Sequence, residues 1–316
     1  MCSKSPSSKR EYGLAGRESF FAVFAVRTLC TFIFALFSFG HPQGWALTGQ
    51  TQKKMITLNY NLGTDTRAFS TMRGGGSGNY DGFNITHYCG DTPEHVAKCR
   101  EELCSMLKIP DTHLIVPRQT HGCKVLEIGK EFMEANREER MHMLEGVDAV
   151  MTSLPGVCIG VSTADCIPLL LHDTRKRVIA AIHAGWRGTV ARIAVECIRK
   201  MQEIHGCSAT DIRAVIAPGI SMDAFEIGDE VYRAFEEAGF DMQRISKRYP
   251  TRNGAEKWHI DLWEANRLQL TATGVPAGNI HTAGICTYTS HKEFFSARRL
   301  GINSGRIFNG IMLEKA

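Results

Sequence analysis

The stretch that most constrains the fold runs from Gly160 to Gly188, GVSTADCIPLLLHDTRKRVIAAIHAGWRG. It begins within a set of short apolar runs, Cys158–Ser162, Pro168–Leu171 and Val178–Ile182. Runs this short and this apolar suit strands covered on both faces. Each is tied to a polar group: Thr163-Ala164-Asp165-Cys166 in the first part, His183-Ala184-Gly185-Trp186-Arg187-Gly188 after the last. A thiol and an imidazole therefore hang from neighbouring elements that periodicity buries. Buried polar atoms need partners, and the partner expected here is a metal ion.

Around this stretch the chain alternates strand-like and helix-like segments. Met55–Asn61 and Thr66–Thr71 read as opening strands, and the glycine-rich run Arg73–Tyr80 reads as a turn. Pro93 opens a helix to Lys108 with Val96, Cys99, Leu103 and Leu107 on one face. Leu114–Pro117 and Lys124–Ile128 are expected strands, and Glu131–Leu144 a solvated helix without chemistry. After Gly188 a helix is expected with Thr189 as its cap, and Cys197 falls on its core face. Ile212–Ala217, Asn279–Ala283 and Ile307–Leu313 read as strands, Asp229–Ala238 and Ile260–Thr273 as helices. The expectation is one α/β (α+β) domain, a mixed sheet covered by helices, over residues 55–316.

Residues 1–54 read differently. A basic segment is followed by Phe20–Phe39, nearly all apolar but broken by Arg27, and then by Gly44-Trp45-Ala46. That pattern fits a signal peptide, a short membrane anchor, or translated sequence upstream of a true start at Met55. Thiol usage weighs against the signal peptide and leaves a spurious or disordered leader beside it. The eleven cysteines are scattered, with no CxxC pair, and several fall inside apolar periodic segments. They read as reduced core thiols, which argues against export and for the cytoplasm. Charge is uneven too: of the formal +4, the part before Met55 carries +5 and the rest a net −1. The body lacks the basic character of a nucleic-acid binder, so nucleic acid is not an expected partner, nor is a membrane.

His121, in Gln119-Thr120-His121-Gly122, lies at a strand end before a glycine. With Cys166 and His183 it makes a His/Cys/His set, the three-ligand count of a catalytic zinc site that keeps one position open. Spacing alone leaves the alternative of a core cysteine and two unrelated histidines. Asp165, beside Cys166, could orient a ligand imidazole. Arginine, the natural fork for phosphate or carboxylate oxygens, recurs at Arg73, Arg187, Arg298, Arg299 and Arg306. No GxSxG, HExxH, Walker, Rossmann or deaminase HxE…PCxxC pattern is present.

QTHG at 119–122, TADCIP at 163–168, HAGWRG at 183–188, Pro218-Gly219-Ile220, Phe225–Gly228, Cys286-Thr287 and Phe294–Arg299 occur in the order of a known family. From Met55 onward the chain resembles the proteins long labelled multicopper polyphenol oxidase or laccase-domain and now regarded as purine nucleoside phosphorylases. The resemblance implies metal ligands at His121, Cys166 and His183, and zinc, or copper, as the ion. It implies phosphorolysis of adenosine, inosine and methylthioadenosine to free base and sugar phosphate, with adenosine deaminase activity. On that reading Cys166, Asp165 and His183 are the catalytic group, and Arg73, Asn84, Arg187, Arg298 and Arg299 meet nucleoside and phosphate. The ligand set provides for one ion, not the several coppers of a multicopper oxidase. The family's Arg-x-Gly-Gly-x-Ser loop is one residue shorter here, at Arg73–Ser77. Two other classes remain: a metal-independent cysteine hydrolase using Cys166 and His183, and a non-enzymatic metal-binding protein.

Overall fold

The computed structural model describes residues 55–251 and 254–315; the expected leader, 1–54, lies outside them. In chain order the strands are β1 (Thr57–Tyr60), β2 (Thr66–Thr71), β3 (Leu114–Ile115), β4 (Val125–Glu127), β5 (Ala149–Thr152), β6 (Cys158–Thr163) and β7 (Ile167–Asp173). They continue as β8 (Val178–Ala184), β9 (Ile212–Ile216), β10 (Glu226–Ile227), β11 (Ser246–Pro250), β12 (Glu256–Ile260), β13 (Ile280–Thr282) and β14 (Ile307–Leu313). The helices are α1 (Pro93–Leu107), α2 (Lys130–Glu134), α3 (Arg137–Met143), α4 (Trp186–Val190), α5 (Ile193–His205), α6 (Asp229–Glu237), α7 (Met242–Ile245), α8 (Leu262–Ala272) and α9 (Ala297–Leu300).

Two mixed sheets dominate. One has the order β1-β2-β14-β6-β3, the other β13-β9-β7-β8-β5-β4, and a small antiparallel sheet runs β10-β12-β11. The strand period of two sorts the side chains. In β8, Val178, Ala180 and Ile182 pack on α5 and α8, while Ile179 and Ala181 face the first sheet. In β7, Leu169 and Leu171 take the helical side and Leu170 the other. Ile159, Val161 and Ile311 of the first sheet close that inter-sheet layer. Its outer face buries Phe69, Cys158 and Phe308 against Cys99, Leu103 and Leu107 of α1. The order is helix, sheet, sheet, helices, with every residue of β6, β7 and β8 buried. At about 1.5–3 kcal/mol for each large apolar side chain buried, this double layer is the main source of stability.

The alternating α/β character and a mixed sheet covered by helices are as expected. The second sheet and β5 are additions, and three local expectations are corrected. Thr189 does not cap the long helix: it lies inside α4, and the chain turns at Arg192 (φ 62°) before α5 begins. Ile260 ends β12 and does not open the helix, which begins only after Asp261, whose side chain accepts from Glu264 N–H at 2.9 Å. Glu131–Leu144 is two short helices, and Phe132 is buried rather than solvated.

Candidate metal centre

Two connections cross from the first sheet to the second, β3 to β4 and β6 to β7. His121 lies on one and Cys166 on the other. His183 sits near the end of β8, on the strand face that Ile179 and Ala181 turn toward the first sheet. The nitrogen and sulfur donors of His121, Cys166 and His183 all lie within 4.8 Å of one another, and the two imidazole centroids are 4.8 Å apart. Among the described residues this is the only group of three such donors. His183 is buried, Cys166 half-buried and His121 exposed, so the cluster opens to solvent on the His121 side.

The organiser of this corner is Asp148, the residue before β5, which the reading of the sequence missed. It is fully buried and lies opposite His183 on the adjacent strand. His183 N–H donates to Asp148 O at 2.8 Å, and Asp148 Oδ1 lies 2.7 Å from His183 Nδ1. The same carboxylate accepts from three successive amides, Thr120 at 3.2 Å, His121 at 2.9 Å and Gly122 at 2.7 Å. That nest holds His121 at φ 65°, a backbone state a non-glycine residue rarely keeps unaided. One carboxylate thus fixes two of the three donors and leaves Nε2 as the free ring nitrogen of His183. The signal was present: an aspartate inside the apolar run Val147–Met151 needs a partner if that run is a buried strand.

Gln119 completes the loop. Its side-chain amide pairs with the backbone of Ser162 in β6, donating to Ser162 O at 2.8 Å and accepting from Ser162 N–H at 2.7 Å. Gly185 supplies the room: a Cβ there would stand 2.9 Å from Cys166 Sγ and 3.1 Å from His121 Cδ2.

Electrostatics in the metal-free cluster follow from this packing. Burial opposes the charge on Cys166, His183 and Asp148. The Cys166 thiol is nonetheless lowered, because the charge of His183 and hydrogen bonds from both imidazoles outweigh burial. His183 is correspondingly raised by Cys166 and Asp148. Against its own burial, Asp148 is lowered by the His183 imidazole and the loop amides. Both shifts favour the thiolate and imidazolium forms of the pair, and a metal takes both donors deprotonated. Ideal zinc bonds of about 2.0–2.3 Å set tetrahedral donors ~3.5 Å apart. Closing this set onto an ion asks only small side-chain movements. Two imidazoles and a thiolate suit zinc or copper.

The other nominated residues divide. Asp165 does not orient an imidazole, and Asp148 has that place; Asp165 instead binds Thr287 and the Arg298 amide, at 2.7 Å each. Arg73 is 2% exposed and spends its guanidinium on the carbonyls of Asp81 (2.9 Å), His291 (3.0 Å) and Gly78, beneath Phe295. Asn84 is fully buried, donating to Asp91 at 2.7 Å and accepting from the Thr86 and Arg306 amides. Arg298 donates twice to Glu226 O, at 3.1 Å, over the Phe225 ring. Arg187, over Trp186, and Arg299, over Tyr288 with one 3.4 Å contact to its hydroxyl, are exposed and the least committed.

Fold and site together define a layered α/β protein with one three-donor His/Cys/His centre at the edge where its two sheets exchange chain. The chain belongs to the family described as multi-copper polyphenol oxidoreductase laccase, whose model matches residues 66–314. It is 51% identical to a purine nucleoside phosphorylase of Bacteroides thetaiotaomicron over 250 residues, 78% of this chain and 91% of that one. A second relative, adenosine deaminase RL5 of an unknown prokaryotic organism, is 46% identical over 246 residues, 77% of this chain and 92% of that one. Among solved structures, YlmD from Geobacillus stearothermophilus aligns with a TM-score of 0.72 at 28% identity, covering 80% of this chain and 93% of that one.

Proposed function

We propose that the protein is a metal-dependent purine nucleoside phosphorylase, cleaving adenosine, inosine and methylthioadenosine with phosphate and also deaminating adenosine. The domain responsible spans residues 55–316, and the cell compartment is the cytoplasm; no helix among the described residues is long and apolar enough to cross a membrane. The observation that carries the reading is the convergence of His121, Cys166 and His183 within 4.8 Å around a single position. Relatives named for phosphorolysis and for deamination support the two activities.

When bound, zinc supplies Lewis acidity and hydroxide at neutral pH. The chain does the rest by placement. Asp148 holds the His183 imidazole with Nδ1 turned inward. It also pins the amide of His121, so two donors keep their aim without a ligand present. Arg187 and Arg299, whose guanidinium groups are the least engaged, meet the phosphate, and a phosphate held beside the ribose can attack C1′ as the purine leaves.

The test is a nucleoside panel with and without phosphate, run on protein whose metal content is measured. Base release that needs phosphate and metal, and that Cys166→Ala abolishes together with bound zinc, is the expected result. Full turnover in Cys166→Ala overturns the assignment. One observation favours a second reading: the lowered Cys166 thiol beside His183 is also the arrangement of a cysteine nucleophile. That reading predicts full activity without metal and complete loss on alkylation. Zinc binding with no base release would leave a metal-binding protein without this activity.

A further inference from the structure

Asp165 was nominated as a catalytic group because it adjoins Cys166, but its surroundings give it different work. It is 9% exposed and sits at φ 91° in the crossover from β6 to β7. Its two carboxylate oxygens are each taken by a donor of the protein: Thr287 Oγ1–H on Oδ1 and Arg298 N–H on Oδ2, both at 2.7 Å. Its backbone carbonyl accepts from Ile220 N–H at 2.8 Å. Gly219 and Thr287 then bond each other, Thr287 N–H donating to Gly219 O at 3.0 Å. One residue thus gathers three segments that lie far apart in sequence.

Those segments carry two arginines and the rings that support them. Arg298 and Arg299 open α9, Tyr288 follows Thr287, and Phe225 lies five residues after Ile220. Each aromatic ring supports one arginine, Phe225 under Arg298 at 5.6 Å and Tyr288 under Arg299 at 5.3 Å. The Arg298 guanidinium is already spent on the Glu226 carbonyl, whereas Arg299 has one long contact to Tyr288. A charge-assisted acceptor at the Arg298 amide anchors the short helix that also carries Arg299.

We propose that Asp165 is a positioning residue: it ties the Cys166 crossover to the segments bearing Arg299 and Tyr288, and so sets the site for the anionic co-substrate, inorganic phosphate. This rests on the phosphorylase reading of the same site. A group whose oxygens both serve as internal acceptors is badly placed to carry a proton for the substrate. Asparagine can replace such a strut, because its Oδ1 can accept from Arg298 N–H while Nδ2 donates to Thr287 Oγ1, which accepts as readily as it donates. Asparagine also tolerates the left-handed backbone. A proton carrier has no such substitute.

The experiment compares Asp165→Asn, Asp165→Ala and Thr287→Val on zinc-analysed protein. Three readouts are taken: kcat, KM for inorganic phosphate, and hydrogen exchange of the backbone over 285–300. Asp165→Ala and Thr287→Val are expected to raise KM for phosphate at least tenfold, change kcat at saturating phosphate less than threefold, and accelerate exchange in 285–300. Asp165→Asn should stay within about threefold of wild type throughout, and zinc content should be unchanged in all three. A kcat loss of a hundredfold or more in Asp165→Asn would make Asp165 catalytic and overturn the proposal. Unchanged exchange in both disruptive variants would overturn it as well. If wild type shows no phosphorolysis, the functional reading falls, while the exchange data still decide the strut.

Discussion

Gly185→Ala probes the centre with one methyl group. The residue sits at φ −64° and ψ 169°, which any amino acid adopts, so the substitution imposes no backbone strain. The cost is space. A Cβ would stand 2.9 Å from Cys166 Sγ and 3.1 Å from His121 Cδ2. Ordinary non-bonded contact needs about 3.5–4.0 Å, so sulfur and ring must retreat by roughly 0.5–1 Å. Metal sites hold their bond lengths to about 0.2 Å. Disturbing groups that merely support a ligand costs about 10–100-fold in affinity; displacing two ligands at once places Gly185→Ala at the upper end, about 100-fold or ~2.8 kcal/mol. Chelator competition gives the zinc Kd, and melting in excess chelator gives the stability of the metal-free protein. Because His121 is exposed and Cys166 only half-buried, both can yield outward, and the metal-free Tm should move by no more than about 2 °C. A zinc Kd within threefold of wild type would refute the geometry. A collapse of the metal-free Tm would show instead that Gly185 serves the core.

Two further substitutions separate support from recognition. Asp148→Asn loses the carboxylate that serves three loop amides and the His183 imidazole, and should cost about 3–5 kcal/mol of stability in denaturant titration. Because the Asp148 carboxyl is held below the ordinary range in the folded chain, its contribution is present above the unfolded value and lost as pH falls. The stability of the metal-free protein should therefore decline on acidification, and the variant should show a flatter acid limb; parallel acid limbs would contradict this. Arg73→Ala should lower stability by about 2–4 kcal/mol, because the guanidinium serves the Asp81, His291 and Gly78 carbonyls beneath Phe295. A raised phosphate KM with unchanged Tm would instead return Arg73 to the substrate.

Much of this was legible before any coordinates. Continuous apolar runs identified β6, β7 and β8 as buried, since a strand covered on both faces needs no alternation. The Pro93 helix was legible from its proline and its period. What stayed hidden depends on partners remote in sequence. β12 carries Lys257, Trp258 and His259, mixed residues that give no strand signal of their own and become a strand through pairing with β10 and β11. β5 is only four residues long and follows the charged segment 131–144, so its burial, and with it the burial of Asp148, carries little signal in the sequence. That Asp148, and not Asp165, holds the ligand imidazole was hidden for the same reason. Adjacency to Cys166 suggested a shared task, but at φ 91° its carboxylate turns to Thr287 and Arg298, more than a hundred residues on. Arg73 looked like a ligand for an anion because arginine beside glycines often is; that the carbonyls of Gly78, Asp81 and the remote His291 would consume it is invisible in one dimension.

The position of the centre follows from the topology. A two-sheet layered fold must pass its chain between sheets somewhere, and the connections cannot continue the ladder they leave. Here the two connections that run from the first sheet to the second meet at the donor cluster, and each carries one non-glycine residue at positive φ, His121 on the first and Asp165 on the second. Such conformations cost free energy and persist where surrounding bonds over-determine them. Asp148 does this for the first crossing with three amide bonds. Thr287 and the Arg298 amide do it for the second. The two crossings are thereby held by separate carboxylates, Asp148 at the start of β5 and Asp165, which reaches to the C-terminal segments. Metal capture and phosphate placement should then be separable by mutation: Asp148 and Gly185 variants lose zinc, Asp165 and Thr287 variants lose phosphate affinity with zinc retained. A single substitution at Asp165 that removed both in equal measure would show the two crossings to be one cooperative unit.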